Sequence, residues 1–409
     1  MEERDKQILR ELAHKVAELA HTEENAEKAK AWQAHNDLKK GARAMILCDP
    51  ENGWNEIFPA KSFECEDGLA RFWEFMLRRD IYSATVLKDD KVIDDTIYVA
   101  NYHTNTGWGL ASHHTVSGEN GSYKAEAALD DYSKMTKMHY PVISMDYETI
   151  GKVTEMAHDV FDGILKVGYK ANWWWSLGLS NVAIDLRGLE NFMLDMYDNP
   201  DELHALMNFL CEGTLKMLDY LEENGLLSQN TGNTYVGSGG FGFTESLAPK
   251  AEGKVLLKDM WGFTESQETV SVSPAMFEEF VFPYQLKIAK RFGLNCYGCC
   301  EPLDGRWDIV KRIPNLRRVS VSHWADSKKM AENLQDRYIY SLKPSPSYLA
   351  TPQMNEEAAR EELRTKIGHA RAEGCHLEII MKDNHTLGHN PRNASRWVEI
   401  AREELTGAE

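Results

Sequence analysis

The sequence predicts an α/β fold: a (β/α)8 TIM barrel with an N-terminal mixed α/β extension. Three observations carry that expectation. Across residues 273–405, short apolar runs alternate four times with helical stretches, the pattern of parallel βαβ units. The 409 residues suit one elaborated barrel, because such barrels take about 250 residues before insertions. No glycine-rich phosphate fingerprint follows an early strand, which sets aside a nucleotide-binding open sheet.

Taken in chain order, residues 1–40 read as helix, with Ile8, Leu9, Leu12, Val16 and Leu19 at helical spacing between charges. Residues 41–136 are mixed, with apolar runs at Ala44–Leu47 and Val92–Val99. Gly107–Asp131 reads as a long excursion with a turn cluster at 117–122. This gives an extension over 1–136 that packs on a catalytic barrel over 137–409. Early barrel strands are expected at Gly163–Tyr169, Val182–Leu186, Leu226–Thr231 and Val255–Met260, with a helix over Pro200–Asn224 stopped by Gly225. Ser273 and Pro274 start the next helix as N-cap and first helical residue, and Gly293 closes it. The runs Leu294–Tyr297, Leu316–Ser322, Tyr338–Lys343 and His376–Lys382 follow. Helices near Arg306–Ile313, Ser327–Leu334 and Asn355–Glu373 separate them, and one over Pro391–Leu405 ends the series.

A formal charge of −18 disfavours nucleic acid or an anionic membrane surface as partner, since both need a basic footprint. No apolar run approaches the ~20 residues of a membrane helix, and the charged N-terminus lacks a secretion signal. Seven cysteines, an odd number, then point to a reducing cytoplasm and free or metal-bound thiols. A homodimer is the oligomer that base rates favour.

Barrel enzymes work at the carboxyl ends of their strands, so the residues after each expected strand are the test. They are Cys299, Cys300 and Glu301; Ser322 and His323; Lys343; Lys382, Asp383 and His385; Glu265, Gln267 and Glu268; and Gln229, Asn230 and Asn233. Zinc takes thiolate, imidazole and carboxylate, and a catalytic site keeps a fourth position open. Cys299 with His385 and a glutamate, Glu265 or Glu301, meets that demand. Cys300 is the alternative thiolate, because neighbouring residues on a strand face opposite ways unless Gly298 has already turned the chain. Glu265, Lys343 and Asp383 are the candidate catalytic groups. Asn233, Gln267, Trp174 and Tyr235 are the candidate substrate contacts. The run Trp173-Trp174-Trp175 reads first as packing and second as a platform for a planar ligand.

The segment Ser273-Pro-Ala-Met-Phe-Glu-Glu-Phe-Val-Phe-Pro-Tyr284 resembles the S-P-x-x-F-x-E-F-x-x-P-Y helix of the uroporphyrinogen-decarboxylase superfamily, and the likeness spans residues 140–405. The decarboxylase's own N-terminal Arg and Asp motifs are missing from residues 1–100. In the zinc-dependent, corrinoid-linked methyltransferase branch the strand after this helix carries His-x-Cys-Gly, with a later Cys. Here Tyr297-Gly-Cys299-Cys300 stands at the first motif, and Lys382-Asp-Asn-His385 stands where the later Cys would be. The resemblance implies a zinc-dependent methyltransferase. It would move a methyl group from a small methylated substrate, a methoxylated aromatic being one such class, to a corrinoid (cobalamin) protein, with Glu265 or Glu268 completing the metal set. The runner-up is decarboxylation of a polycarboxylate, clamped by Arg187, Arg306 and Lys343. A non-enzymatic barrel with a closed structural metal site ranks third.

Overall fold

The computed structural model describes residues 1–110, 113–116, 123–247 and 253–407. Its centre is a six-stranded, all-parallel sheet: β1 (Met45–Cys48), β2 (Trp261–Thr264), β3 (Leu294–Tyr297), β4 (Leu316–Val321), β5 (Ile339–Leu342) and β6 (His376–Met381). The spatial order is β1-β6-β5-β4-β3-β2, so the strands that come first and last in sequence are hydrogen-bonded neighbours. Nearly every residue of these strands is buried, as a parallel sheet covered on both faces requires. Two more strands, Thr96–Val99 and Lys166–Tyr169, are parallel to each other and, among the described residues, pair only with each other.

These two strands and the six of the central sheet belong to separate ladders. The closed (β/α)8 ladder expected from the sequence is not present among the described residues. Single backbone bonds from residues outside these strands reach both edges of the central sheet: Asp90 N donates to Ile46 O at 2.8 Å, and Leu177 N donates to Phe263 O at 2.9 Å. At the free edge of β2 a side chain takes the place of a strand. The Asn230 amide donates to Trp261 O (3.0 Å) and its oxygen accepts from Trp261 N (2.9 Å). That is why Leu226–Thr231, expected as a strand, is irregular instead.

Other expectations shift for local reasons. Val182–Leu186 lies in the helix Ser180–Arg187, with Ala183, Leu186 and Arg187 buried at helical spacing. Val255–Met260 is a 3-10 turn at Leu257–Asp259, where the Asp259 carboxylate accepts from Leu256 N, and the strand begins one residue later at Trp261. Residues 1–40 form two helices, Glu3–Ala20 and Glu23–Asn36, divided where Thr22 caps the second. The helix after Ser273 splits at Val281 into Pro274–Phe280 and Phe282–Ala289. Pro283 has no N–H to bond the carbonyl one turn back. His113–Val116 and Tyr123–Glu126 form an antiparallel hairpin, and the turn cluster at 117–122 lies outside the described residues.

One face of the sheet packs under helices. Val319, Val321, Tyr340, Leu342, Ile379 and Met381 join a core with Leu363, Ile367, Trp397 and Ile400. The other face is polar along its middle and is closed by helix Glu23–Asn36 and the Tyr235–Phe241 hairpin, through Asn36 and Phe241. No helix among the described residues is long and apolar enough to cross a membrane.

Candidate active site at the strand ends

Alternate residues of a strand share a face. On β4 these are Arg318 and Ser320, continued by Ser322; on β5, Ser341, continued by Lys343; on β6, Glu378 and Ile380, continued by Lys382. Together they make a buried polar column rising toward the carboxyl ends. At its base Arg318 grips Glu378 through both carboxylate oxygens (Nε–Oε1 2.9 Å, Nη2–Oε2 3.1 Å). Ser341 donates to Glu378, and His35 Nε2 lies 3.3 Å from the same carboxylate. Burial pushes the Glu378 carboxyl up, but Arg318, His35 and Lys343 outweigh it and hold it well below the usual range. Above, Lys343 Nζ donates to the Ser341 hydroxyl. Burial is the main reason its ammonium falls to about 8.

Past the end of β3 the chain turns at Gly298, whose φ of +91° is the left-handed conformation that favours glycine. The two cysteines therefore leave the strand, and their sulfurs come to the same side, 3.6 Å apart. Cys299 Sγ also accepts from Ser238 Oγ at 3.3 Å and from Lys382 Nζ at 3.4 Å. Lys382 bridges to Asp383 Oδ1 at 2.6 Å, while Cys300 Sγ lies 3.2 Å from Asp383 Oδ2. The Cys300 hydrogen bond, Lys382 and Ser238 together outweigh burial and bring the Cys299 thiol down to about 7. Cys300, bonded to that sulfur and buried, moves the opposite way.

A second group is acidic. Glu301 is fully buried, accepts from Ser266 N (2.8 Å) and Cys299 N (2.9 Å), and so fixes the turn after Gly298. Glu265, also fully buried, accepts from Ser176 Oγ and Gln267 N, both at 3.0 Å. Burial first, then the nearby Glu268 and Glu301, raises its carboxyl to about 8. Glu268 accepts from Ser180 Oγ at 2.8 Å.

The structure gathers Cys299, Cys300, Lys382 and Asp383 in direct contact, with Lys343 on the neighbouring strand end. It does not assemble the zinc set expected from the sequence. His385 is exposed in the loop after β6. Glu265 and Glu301 spend their oxygens on backbone amides and Ser176. No group of three or more His, Cys, Asp and Glu among the described residues is placed to hold a metal ion. Beside Cys299 and Asp383 the positive charge is an ammonium, that of Lys382.

The expected substrate contacts scatter. Asn233 donates to Val92 O at 3.0 Å, Trp174 packs edge-on to Phe292, and Tyr235 stacks on Phe241. Gln267 sits in a 3-10 turn beside Glu265. Trp173 donates to Leu226 O and Trp175 meets Phe263 edge-on, so the tryptophan run divides among three neighbours. Sequence reading placed Ser322 at a strand end but did not single out Ser238 or the Arg318–Glu378 pair. The available signal was polar side chains at every second position of apolar strands, Arg318-x-Ser320-x-Ser322 above all.

No protein-family model matches the chain, and no curated protein matches it. Among solved structures, a methyltransferase from Methanosarcina mazei is similar at 11% identity with a TM-score of 0.48, covering 92% of this chain and 98% of that one.

Proposed function

We propose that this protein is a methyltransferase working at the carboxyl ends of β2–β6 in an interrupted (β/α)8 barrel. It takes the methyl group of a small methylated substrate, a methoxylated aromatic above others, and passes it to the corrinoid of a partner protein. The observation that carries the reading is the Cys299 sulfur, held by Ser238, Cys300 and Lys382 just past β3. That is where the resemblance puts the working cysteine of the methyltransferase branch.

The corrinoid would supply the nucleophile that accepts the methyl carbon. This chain's residues hold the donor and manage the proton. When the carbon–oxygen bond breaks, its electron pair stays on oxygen, and that oxygen needs a proton. Glu265 is the acid that keeps one at neutral pH. Trp324 after β4 and Trp175 after Lys166–Tyr169 stand 71% and 52% exposed, large apolar side chains that a docked partner would cover. The zinc donors expected from the sequence do not converge among the described residues.

Of the three clamps that the decarboxylase alternative needs, Arg187, Arg306 and Lys343, the two arginines are engaged elsewhere. Arg187 is bound to Asp195, and Arg306 spends its donors on Ser266, Thr269 and Val272. The test is to incubate the protein with aryl methyl ethers and reduced cobalamin and follow methylcobalamin by its absorption. Formation that depends on Cys299 and Glu265 supports the reading. No methyl transfer from any ether, with free cobalamin or a corrinoid protein, defeats it.

A further inference from the structure

Away from the strand ends, the structure holds a cavity of about 770 Å³ beside the amino end of β1. Helix Glu23–Asn36 and the last helix, Arg392–Thr406, form two of its walls, and residues 41–43 and 86–90 form the rest. Small-molecule pockets commonly have volumes of about 300–1,000 Å³. The central sheet is all parallel, so this end of β1 is opposite to the end that carries the candidate active site. Ala31, Ala34, Ala42, Val86 and Val398 give the cavity apolar walls, and Val86 is left 42% exposed.

Its polar part is cationic. Asp90, 1% exposed, accepts from Arg43 Nη1 and Nη2 at 3.1 and 3.0 Å and from Arg402 Nη2 at 3.1 Å, so one buried carboxylate faces two guanidiniums. Arg402 Nη2 also donates to Lys88 O at 2.8 Å, while its Nε and Nη1 make no hydrogen bond among the described residues. Lys88 follows the π-helical turn Ser83–Leu87 with a φ of +53°, a left-handed conformation that strains a lysine, and its ammonium makes no hydrogen bond or ion pair among the described residues. Backbone strain of this kind gathers at ligand clamps. Glu24, Glu27 and Glu399 each have a cation of their own: Lys28 at 2.9 Å, Lys30 at 2.8 Å and Arg396 at 2.8 Å. Glu24 also feels Arg402. Even so, five cationic side chains line the cavity against four acids, a local surplus of positive charge in a chain whose net charge is −18.

We infer that this cavity is a second binding site, separate from the strand ends, for an amphipathic carboxylate. Arg402, with Arg43 and Lys88, takes the acid group, and the alanine and valine walls take an aliphatic body. A single charge suits the cavity better than the two of a phosphate, because Asp90 already neutralises one guanidinium and three more acids line the same space. The inference does not rest on the methyltransferase reading, since no residue proposed to act on the methyl donor lines this cavity.

The test is calorimetric binding of octanoate, octanamide and octyl phosphate to the intact protein. Octanoate should bind about tenfold or more tightly than the amide, the scale of a hydrogen bond to a charged group. Arg402→Gln should bring the two within about threefold while sparing the amide. Ala34→Trp fills the cavity and should abolish the binding of both. In Arg402→Gln the Asp90 carboxylate keeps its two bonds to Arg43, so that variant decides the matter if Ala34→Trp does not fold. Equal binding of acid and amide, tighter binding of the phosphate, or no binding at all would each overturn the inference. So would a preference for the acid that survives in Arg402→Gln, or binding that survives in a folded Ala34→Trp.

Discussion

Glu378→Gln is the most demanding test of the polar column. The change keeps size and shape but leaves the fully buried Arg318 guanidinium without its counter-charge, where two bonds of 2.9 and 3.1 Å now hold it. Removing one partner of a buried ion pair costs about 3–5 kcal/mol, because the survivor stays buried and uncompensated. Unfolding entropy near about 2.1 cal/mol/K per residue gives about 0.9 kcal/mol/K for 409 residues, so the melting temperature should fall by about 3–6 °C. The charge also sets a sign with pH. The folded state holds the Glu378 carboxyl below its ordinary 4.5, so its contribution is present above that value and lost as pH falls through the folded one. The gap between wild type and Glu378→Gln should therefore narrow in acid. Scanning calorimetry and urea titration at pH 7 and pH 4 measure both effects. Replacing the pair together, Arg318→Met with Glu378→Leu, should recover most of the loss, since apolar substitutes for a buried pair are often neutral. A Glu378→Gln protein within about 1 kcal/mol of wild type at pH 7, or a double variant worse than the single one, would refute the view that this pair stabilises only as a pair.

Glu265→Gln should flatten the pH dependence of stability. A carboxyl raised to about 8 in the folded state favours folding fully below 4.5 and loses that contribution as pH climbs through 8, so wild type should weaken over that range and the variant should not, by urea titration. Alkylation of Cys299 by iodoacetamide, followed by peptide mass spectrometry, should show a midpoint near 7, and Lys382→Met should move it toward the ordinary thiol value; an unmoved midpoint would remove Lys382 from the account. Gly298→Ala should cost about 1–3 kcal/mol through backbone strain; its new methyl would also meet Leu303 at 2.7 Å, and Cys299 alkylation should become unspecific as the turn loosens.

The carboxyl half of the fold was legible because its signals agree with one another. Ser273-Pro274, Gly293 and four buried runs fall where helices start, stop and alternate with strands, and β3–β6 lie within a residue or two of the expected runs. The amino half was legible only in part: the strand expected at Gly163–Tyr169 and the helix expected over Pro200–Asn224 are there, and the rest was missed for physical reasons. The apolar run Ala44–Leu47 fell in the expected extension, yet Met45–Cys48 is a four-residue strand that hydrogen-bonds to β6. Val182–Leu186 is apolar and short, a case where strand and helix periods cannot be told apart. Asn230 completes a sheet edge with a side chain, which no pattern of hydrophobicity records. At the site, Gly298 before Cys299 announced a turn correctly, but the partner of the sulfur did not follow from ligand chemistry. Cys, His and Glu at strand ends suggested a metal, whereas the structure sets an ammonium against the thiol and leaves the imidazole of His385 exposed.

That substitution has its own consequence for metals. Sulfurs bound to one tetrahedral zinc at 2.3 Å lie about 3.8 Å apart, close to the 3.6 Å between Cys299 and Cys300, and Asp383 is 3.2 Å from the second sulfur. The two sulfurs alone are spaced to share an ion, though no group of three or more His, Cys, Asp and Glu among the described residues is placed to hold one. What opposes it is charge, since Lys382 contacts both Cys299 and Asp383 and an arriving cation must displace it. Lys382→Met removes the competitor and keeps the apolar length of the side chain. After dialysis against a chelator, the variant should bind cadmium more tightly than wild type by about tenfold or more, read from sulfur-to-metal absorption in the ultraviolet, since about 1.4 kcal/mol of relieved repulsion is already tenfold. Wild type and variant binding one equivalent with equal affinity would mean that the ammonium moves aside at no cost. In that event the two sulfurs are a metal site, and Lys382 is only its resting counter-ion.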